Sequence, residues 1–309
     1  MKSGILLVNK PKDFTSFDVV AVLRGMLKEK KIGHGGTLDP NVTGVLPIFI
    51  GKATKAIDLA PTHDKKYSCT FRLGIKTDTQ DIWGEVIEEN EPVKDIKRIE
   101  DAVLGFKGEI MQTPPMFSAI KINGKRLYDL AREGQVVERP QRKITVYDIA
   151  FEGVVEEENE YKFSAHVSKG AYIRTICDDI GEKLGCGAAM TSLHRTSALG
   201  FDIKDCFTLD QIQKAVDEAS VESLIIGVDT AFNEYPSITL SEKQTKMYKN
   251  GVGLEPQRVK GVIFDSVYNI CEGQMYRVYG ADSVFIGIGA VNYEKREFRS
   301  VKMFCGEEK

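Results

Sequence analysis

The chain has 309 residues, with 42 Lys plus Arg against 45 Asp plus Glu and a formal net charge of -3 at pH 7. That balance excludes a uniformly basic nucleic-acid coat, although opposite patches cancel in a sum while staying apart in space. Hydrophobic residues at 42% and charged residues at 28% exclude wholesale disorder, and the length suits two or three domains with a sizeable core.

Ile5 to Val8 reads as a short buried strand that ends at Asn9-Lys10-Pro11, because proline cannot donate to a sheet ladder. The run is too short for a signal peptide or a membrane span, so a cytoplasmic protein is expected. A helix then begins at Thr15 or Ser16, with Val19, Val20, Leu23, Met26 and Leu27 at helical spacing and Lys28, Lys30 and Lys31 at its end. GHGGTLDPNVTGVLP reads as a shaped loop, since Gly33, Gly35, Gly36 and Gly44 permit backbone shapes closed to other residues.

Lys65 to Leu73 alternates as a strand, Ile82 to Ile87 reads as another across the GIKTDTQD turn, and Ile96 to Leu104 as a helix. Pro114 and Pro115 open a long connection with an Asn123-Gly124 turn and a helical stretch over Leu127 to Ala131. Residues 117–147 carry 7 basic and 3 acidic side chains, the pattern of an arm that meets a polyanion; a solvated face is the plainer reading. Residues 81–102, with 3 basic and 8 acidic, would repel one.

Ile144 to Val155 and Glu160 to Ser168 predict a hairpin with an acidic tip at Glu156, Glu157 and Glu158. A helix follows over AYIRTICDDIGEKLG, stopped by Gly185, and another from Leu209 to Ala219, entered from Thr208. Beyond Ser241 come one helix through Tyr248 and short strands at Val259–Val267, Val267–Cys271, Met275–Tyr279 and Val284–Val291, a small mostly-β module. No heptad seam asks for a partner subunit, so a monomer is expected.

Asp39, in GGTLDP, sits between flexible glycines and a proline that restricts the residue before it, so its carboxylate can be aimed as nucleophile or base; an ordinary turn or cap is the competing reading. Arg174, after SKGAYI and at a helix start, can pair bidentately with a carboxylate or phosphate, or simply with a surface acid. Tyr67 can stack a base or fill a core. His34, His63, His166 and His194 show no metal-ligand spacing, the six cysteines form no CxxC pair, and no GxGxxG or P-loop pattern occurs, so neither metal nor nucleotide cofactor is expected.

Taken together, VNKPKDFTSFDVV, GHGGTLDPNVTGVLP, KKYSCTFRLG, QTPPMFSAIKINGKRLYDLAREG, SKGAYIRTICDDIGEKLG and LHRTSALGFD resemble, over nearly the whole chain, the bacterial tRNA pseudouridine-55 synthase (TruB-type) family. Gly35 departs from it, for the family often has threonine after the histidine. The resemblance implies an α/β (α+β) catalytic domain over 1–233, with a central mixed, mainly antiparallel sheet flanked by helices. It implies an RNA-binding insertion at about 117–147 and a mostly-β PUA domain over 234–309. The implied reaction isomerises uridine 55 of the tRNA T loop to pseudouridine without a cofactor.

By the same resemblance Asp39 is the essential aspartate, either adding covalently to C1′ or abstracting a proton at C2′, with both routes open. Arg174 is its paired arginine, Tyr67 the ring on the target base, and Leu199 the apolar residue beside that base. His34 is the loop residue associated with base flipping, and Lys10 supports the active-site wall or the RNA backbone. Lys121, Lys125, Arg126 and Arg132 are the insertion's phosphate contacts, and the terminal module meets the acceptor-stem end of tRNA. Two rivals share much of this pattern: a catalytically inactive tRNA-binding or folding module, and an RNA-guided synthase that needs partner proteins.

Overall fold

A computed structural model describes residues 2–118, 120–122, 124–155, 159–262, 273–292 and 294–304, the side chains of 121 and 122 excepted. Strand β1 (Gly4–Lys10) leads to helix α1 (Ser16–Leu27), which a capping box opens: the Thr15 side chain accepts from Asp18 N and the Asp18 side chain accepts from Thr15 N. Strands β2 (Ile32–His34) and β3 (Thr43–Ile50) follow, so the second half of the glycine-rich segment is a strand where a loop was expected. Gly44 and Pro47 disguise it. Glycine is required at position 44, which lies at φ +110° and where any Cβ would stand 2.2 Å from the Arg195 carbonyl.

Strands β4 (Lys65–Leu73), β5 (Ile75–Thr77) and β6 (Val86–Glu89) come next, β5 and β6 forming their own antiparallel pair. The strand expected at Ile82–Ile87 is thus displaced toward the C-terminus, because residues 78–85 make the turn. Helix α2 (Ile96–Leu104), strand β7 (Gly108–Gln112), the short pair β8 (Lys121–Ile122) and β9 (Lys125–Arg126), and helix α3 (Leu127–Arg132) lead to the hairpin β10 (Arg142–Val154) and β11 (Glu160–Val167). Asn123 of the expected turn, and the acidic tip 156–158, lie outside the described residues. Helix α4 (Ile173–Leu184) ends at Gly185 in the left-handed region as its sequence predicts. Strands β12 (Ala188–Ala198) and β13 (Phe201–Asp202) and helix α5 (Leu209–Asp217) complete the larger unit.

Among the described residues the main sheet has nine strands, ordered β1-β3-β12-β4-β11-β10-β7, with β2 on β3 and β13 on β12. All pairings are antiparallel except β12 with β3. Alternate β4 residues Tyr67, Cys69, Phe71 and Leu73 face α4 and α2, whose Ile173, Ile176, Ile180, Ile99 and Val103 complete one core. β1 is apolar on both faces. Leu6 and Val8 pack on α1, while Ile5 and Leu7 join Phe232 and, from the smaller unit, Ile288 and Phe304.

The smaller unit holds β14 (Ser237–Thr239), α6 (Glu242–Lys249), β15 (Met275–Tyr279), β16 (Phe285–Asn292) and β17 (Glu297–Met303), its four strands in that order. The chain is therefore a helix-flanked mixed sheet followed by a small β-rich unit. Met275–Tyr279 is a strand as read from sequence, and the Val284–Val291 reading shifts by one residue. Pro256–Arg258 forms a 3-10 turn, and residues 259–262 continue as turns where the strand Val259–Val267 was expected to begin, because Val259 N and Val262 N bond back to the carbonyls of Pro256 and Val259; residues 263–267 of that reading, and the strand expected at Val267–Cys271, lie outside the described residues. Among the described residues no helix is long and apolar enough to cross a membrane.

Candidate active site

Asp39 lies on the loop between β2 and β3, and the loop's backbone is tied on both sides of it. Before it, the Arg195 guanidinium donates to the carbonyls of Gly36 (3.0 Å) and Thr37 (3.2 Å), and the same group also reaches the Val45 carbonyl (2.8 Å) on β3. Ser16, at the start of α1, accepts from Leu38 N at 2.8 Å and donates back to the Leu38 carbonyl. After it, Lys10 Nζ and Asp13 N both donate to the Pro40 carbonyl at 3.0 Å. Asp39 does make a turn, its carbonyl accepting from Val42 N, but its carboxylate stays 52% exposed and faces inward to the cleft. The turn reading and the functional reading therefore describe different atoms of one residue.

The carboxylate meets Arg174, whose Nη2 lies 3.5 Å from Asp39 Oδ2. The same guanidinium donates from Nη1 to Asp81 Oδ2 at 3.4 Å and from Nη2 to the Phe117 carbonyl. Burial pushes the Asp81 carboxyl above its usual value, while the Thr79 hydroxyl and Arg174 pull it back. Arg174 is itself held by the entry of α4: the Gln112 amide donates to the Tyr172 carbonyl and accepts from Tyr172 N. Tyr67, on β4, stands opposite Arg195 in the β12 register. Burial raises its phenol above the ordinary value, with Arg195 beside it acting in the other direction. Asp39, Tyr67, Arg174, Lys65, Val42, Met190 and Leu193 line a common cavity of about 260 Å³. An acid, its cationic clamp, an aromatic ring and apolar walls thus meet in one concave site, the usual form of a small-group binding pocket.

The model described as TruB family pseudouridylate synthase (N terminal domain) matches residues 24–173, and the tRNA pseudouridylate synthase B C-terminal domain matches 174–233. A "tRNA pseudouridine synthase B" of Clostridium kluyveri is 41% identical over 302 residues, 97% of this chain and 99% of the relative. The chain belongs to the TruB family. Its namesake from Bacillus anthracis is 44% identical over 258 residues, 82% of this chain and 84% of the relative. Among solved structures, a chain of a Cbf5-Nop10-Gar1 complex superposes with a TM-score of 0.71 at 24% identity, covering 98% of this chain and 85% of that one. That likeness shows the fold and extends it across the small β-rich unit, which lies beyond both family models.

In this TruB-family chain the cavity gathers Asp39, Tyr67 and Arg174 from the residues singled out in the sequence, and leaves others elsewhere. Leu199 is displaced from its expected place: it follows β12 at φ +54°, is 4% exposed, and packs with Phe49 in the core under β1 and β3. Its Cδ1 would stand 2.5 Å from a Cβ at position 35, so glycine there makes room for it. The apolar residues that reach the cavity from β12 are Met190 and Leu193, and Leu193 is the one within the LHRTSALGFD segment.

Lys10 is 0% exposed and donates to the carbonyls of Pro11, Phe14 and Pro40. It builds the wall, and an RNA-backbone contact is closed to it. Burial lowers its pKa to about 8, with Asp39 opposing. His34 ends β2, half-buried, its Nδ1 accepting from Gly36 N at 3.4 Å, outside the cavity lining. In the arm, Arg126 and Arg132 lie 5.8 and 5.5 Å from the Tyr128 ring centroid, and Lys125 pairs loosely with Glu133; the Lys121 side chain lies outside the described residues. Asp81 and Arg195 escaped the sequence reading. Asp81 was hidden in an acidic stretch, and Arg195 in a segment with no strand-like alternation.

Proposed function

We propose that the chain isomerises uridine 55 in the T loop of tRNA to pseudouridine. The observation that carries the reading is the Asp39 carboxylate, paired with Arg174 at 3.5 Å in a cavity walled by Tyr67 and Leu193, in a chain of the TruB family. The reaction breaks the C1′–N1 bond, turns the freed uracil, and joins C5 to C1′. The C5 proton then leaves and N1 gains one, so the product has the atoms of the substrate and no redox step is needed.

A charged carboxylate serves either as nucleophile at C1′ or as base at C2′, and the guanidinium orients it. Tyr67 offers its ring to the extruded base, and Leu193 takes the apolar position that Leu199 was expected to fill. The target must leave the loop stack before C1′ is accessible, a step to which His34 is suited from the flank of the Asp39 loop. We assign Lys125, Arg126 and Arg132 of the 117–147 arm to phosphates of the T stem, and residues 234–309, as a PUA-type module, to the acceptor-stem end.

Incubating unmodified tRNA with the protein and derivatising the product for mass analysis tests the assignment. Pseudouridine at position 55 is expected from the wild type; tight binding with no product would favour a tRNA-folding module. Asp39→Asn is expected to lose turnover while keeping tRNA affinity within about twofold, because the substitution removes charge and leaves shape. Turnover on a free T-arm stem-loop by the isolated chain separates this reading from an RNA-guided enzyme.

A further inference from the structure

Trp83 is the chain's single tryptophan, and it stands 40% exposed at the lip of the cleft instead of in a core. A second cavity, of about 240 Å³, shares Asp39, Val42, Met190 and Arg174 with the first and adds Trp83 and Phe117 to its lining. The ring's backbone is anchored: Trp83 N donates to Asp81 Oδ1 at 3.2 Å, and Ile82 N to the Met190 carbonyl at 3.0 Å. The Lys12 ammonium lies 5.9 Å from the indole centroid, on a turn docked to Pro40 through Asp13 N. Lone exposed apolar side chains are common on any surface. An indole lining a cavity that adjoins the reacting carboxylate, with an exposed cation beside it, is a more particular arrangement. Aromatic faces stack bases of any kind, and lysines neutralise the phosphates between them.

We propose that this second cavity is a base subsite, in which Trp83 stacks on the nucleobase adjacent in the strand to the isomerised uridine while Lys12 faces the phosphate. The inference rests on the isomerase reading above and adds a determinant of which RNA is held. Because both cavities meet at Asp39 and Arg174, a strand that places one nucleotide in the first carries its neighbour past the second.

Trp83 emission reports its own ring, with no second tryptophan to confuse it. The test titrates the protein with a T-arm stem-loop bearing 5-fluorouridine at the target, and with two versions abasic at the 5′ or the 3′ neighbour. The intact RNA is expected to quench the emission. One abasic version should abolish the quench and weaken binding about tenfold, the scale of one stacked base. In Trp83→Ala the intact RNA should bind about tenfold more weakly, and that abasic site should have no further effect. Trp83→Phe, which keeps an aromatic face, should recover most of the affinity. Equal quenching by all three RNAs, or an abasic penalty as large in Trp83→Ala as in the wild type, overturns the subsite. Pseudouridine formation scored in parallel keeps the two readings apart: no product from the wild type overturns the isomerase reading, and the emission result judges the subsite either way.

Discussion

At the scale of single residues, the placement of the Asp39 carboxylate depends on side chains outside the cavity lining. Arg195 is 0% exposed and serves three carbonyls, two of them immediately before Leu38-Asp39. Arg195→Ala would strand all three in a dry interior, so a loss of about 3 kcal/mol in denaturant unfolding is expected, with Arg195→Lys in between. Lys65 lines the same cavity as Asp39, and burial, reinforced by Arg195 and Lys169, lowers its pKa to about 8. A lysine is charged below its pKa, so its attraction for phosphate is present at pH 7 and fades as pH rises through about 8. T-arm affinity measured by anisotropy from pH 7 to 9 should weaken over that interval, and Lys65→Met should remove most of the slope. A slope unchanged by that substitution would assign the titration to another group.

Among elements, the 117–147 arm has its own small core, where Leu127 and Leu130 of α3 pack with Met116. It reaches the Asp39 cavity through the Phe117 carbonyl, which accepts from Arg174. Its Lys125, Arg126 and Arg132 are exposed to solvent, whereas Arg139 and Arg142 turn inward to the carbonyls of Pro114 and Gly170. A cation that neutralises one phosphate steepens the dependence of log K on log salt by about 0.7 to 0.9, and its removal flattens it by the same amount. Arg132→Ala and Lys125→Ala should each lower the salt slope of tRNA binding by roughly that much while leaving kcat close to wild type. A substitution that changes affinity but not the slope would place its side chain off the RNA backbone.

For the whole molecule, the two units share an aromatic seam. Phe232 stacks or tilts against Phe285 and Phe304 at centroid distances of 6.4 and 5.8 Å, and both partners come from the small β-rich unit. Phe232 is 0% exposed. Truncation to alanine should cost about 3–5 kcal/mol, and calorimetry should show the melting of the small unit separating from that of the large one. If a single transition persists at an unchanged temperature, the seam does not couple the units.

The amino-acid order by itself determined the elements that carry strong local signals. Helix α2 and strand β4 fall on the ranges read from periodicity, and Thr15, Thr208 and Ser241 cap helices as their residue type dictates. It also marked Asp39, Tyr67 and Arg174, because motif segments carry their own chemistry. Tertiary structure alone decided the rest. Strand β12 reads as a mixed polar stretch, since Thr191, Ser192, His194 and Arg195 find their partners across the sheet, and β3 is masked by Gly44 and Pro47. Because neither strand announces itself, the pairing of Arg195 with Gly44 and Tyr67 could not be read in advance. That pairing puts Leu193, and not Leu199, at the cavity, and the turn docked on Met190 brings Asp81 to Arg174. Local chemistry is written along the chain, whereas which acid meets which base depends on an encounter between residues dozens to more than a hundred positions apart.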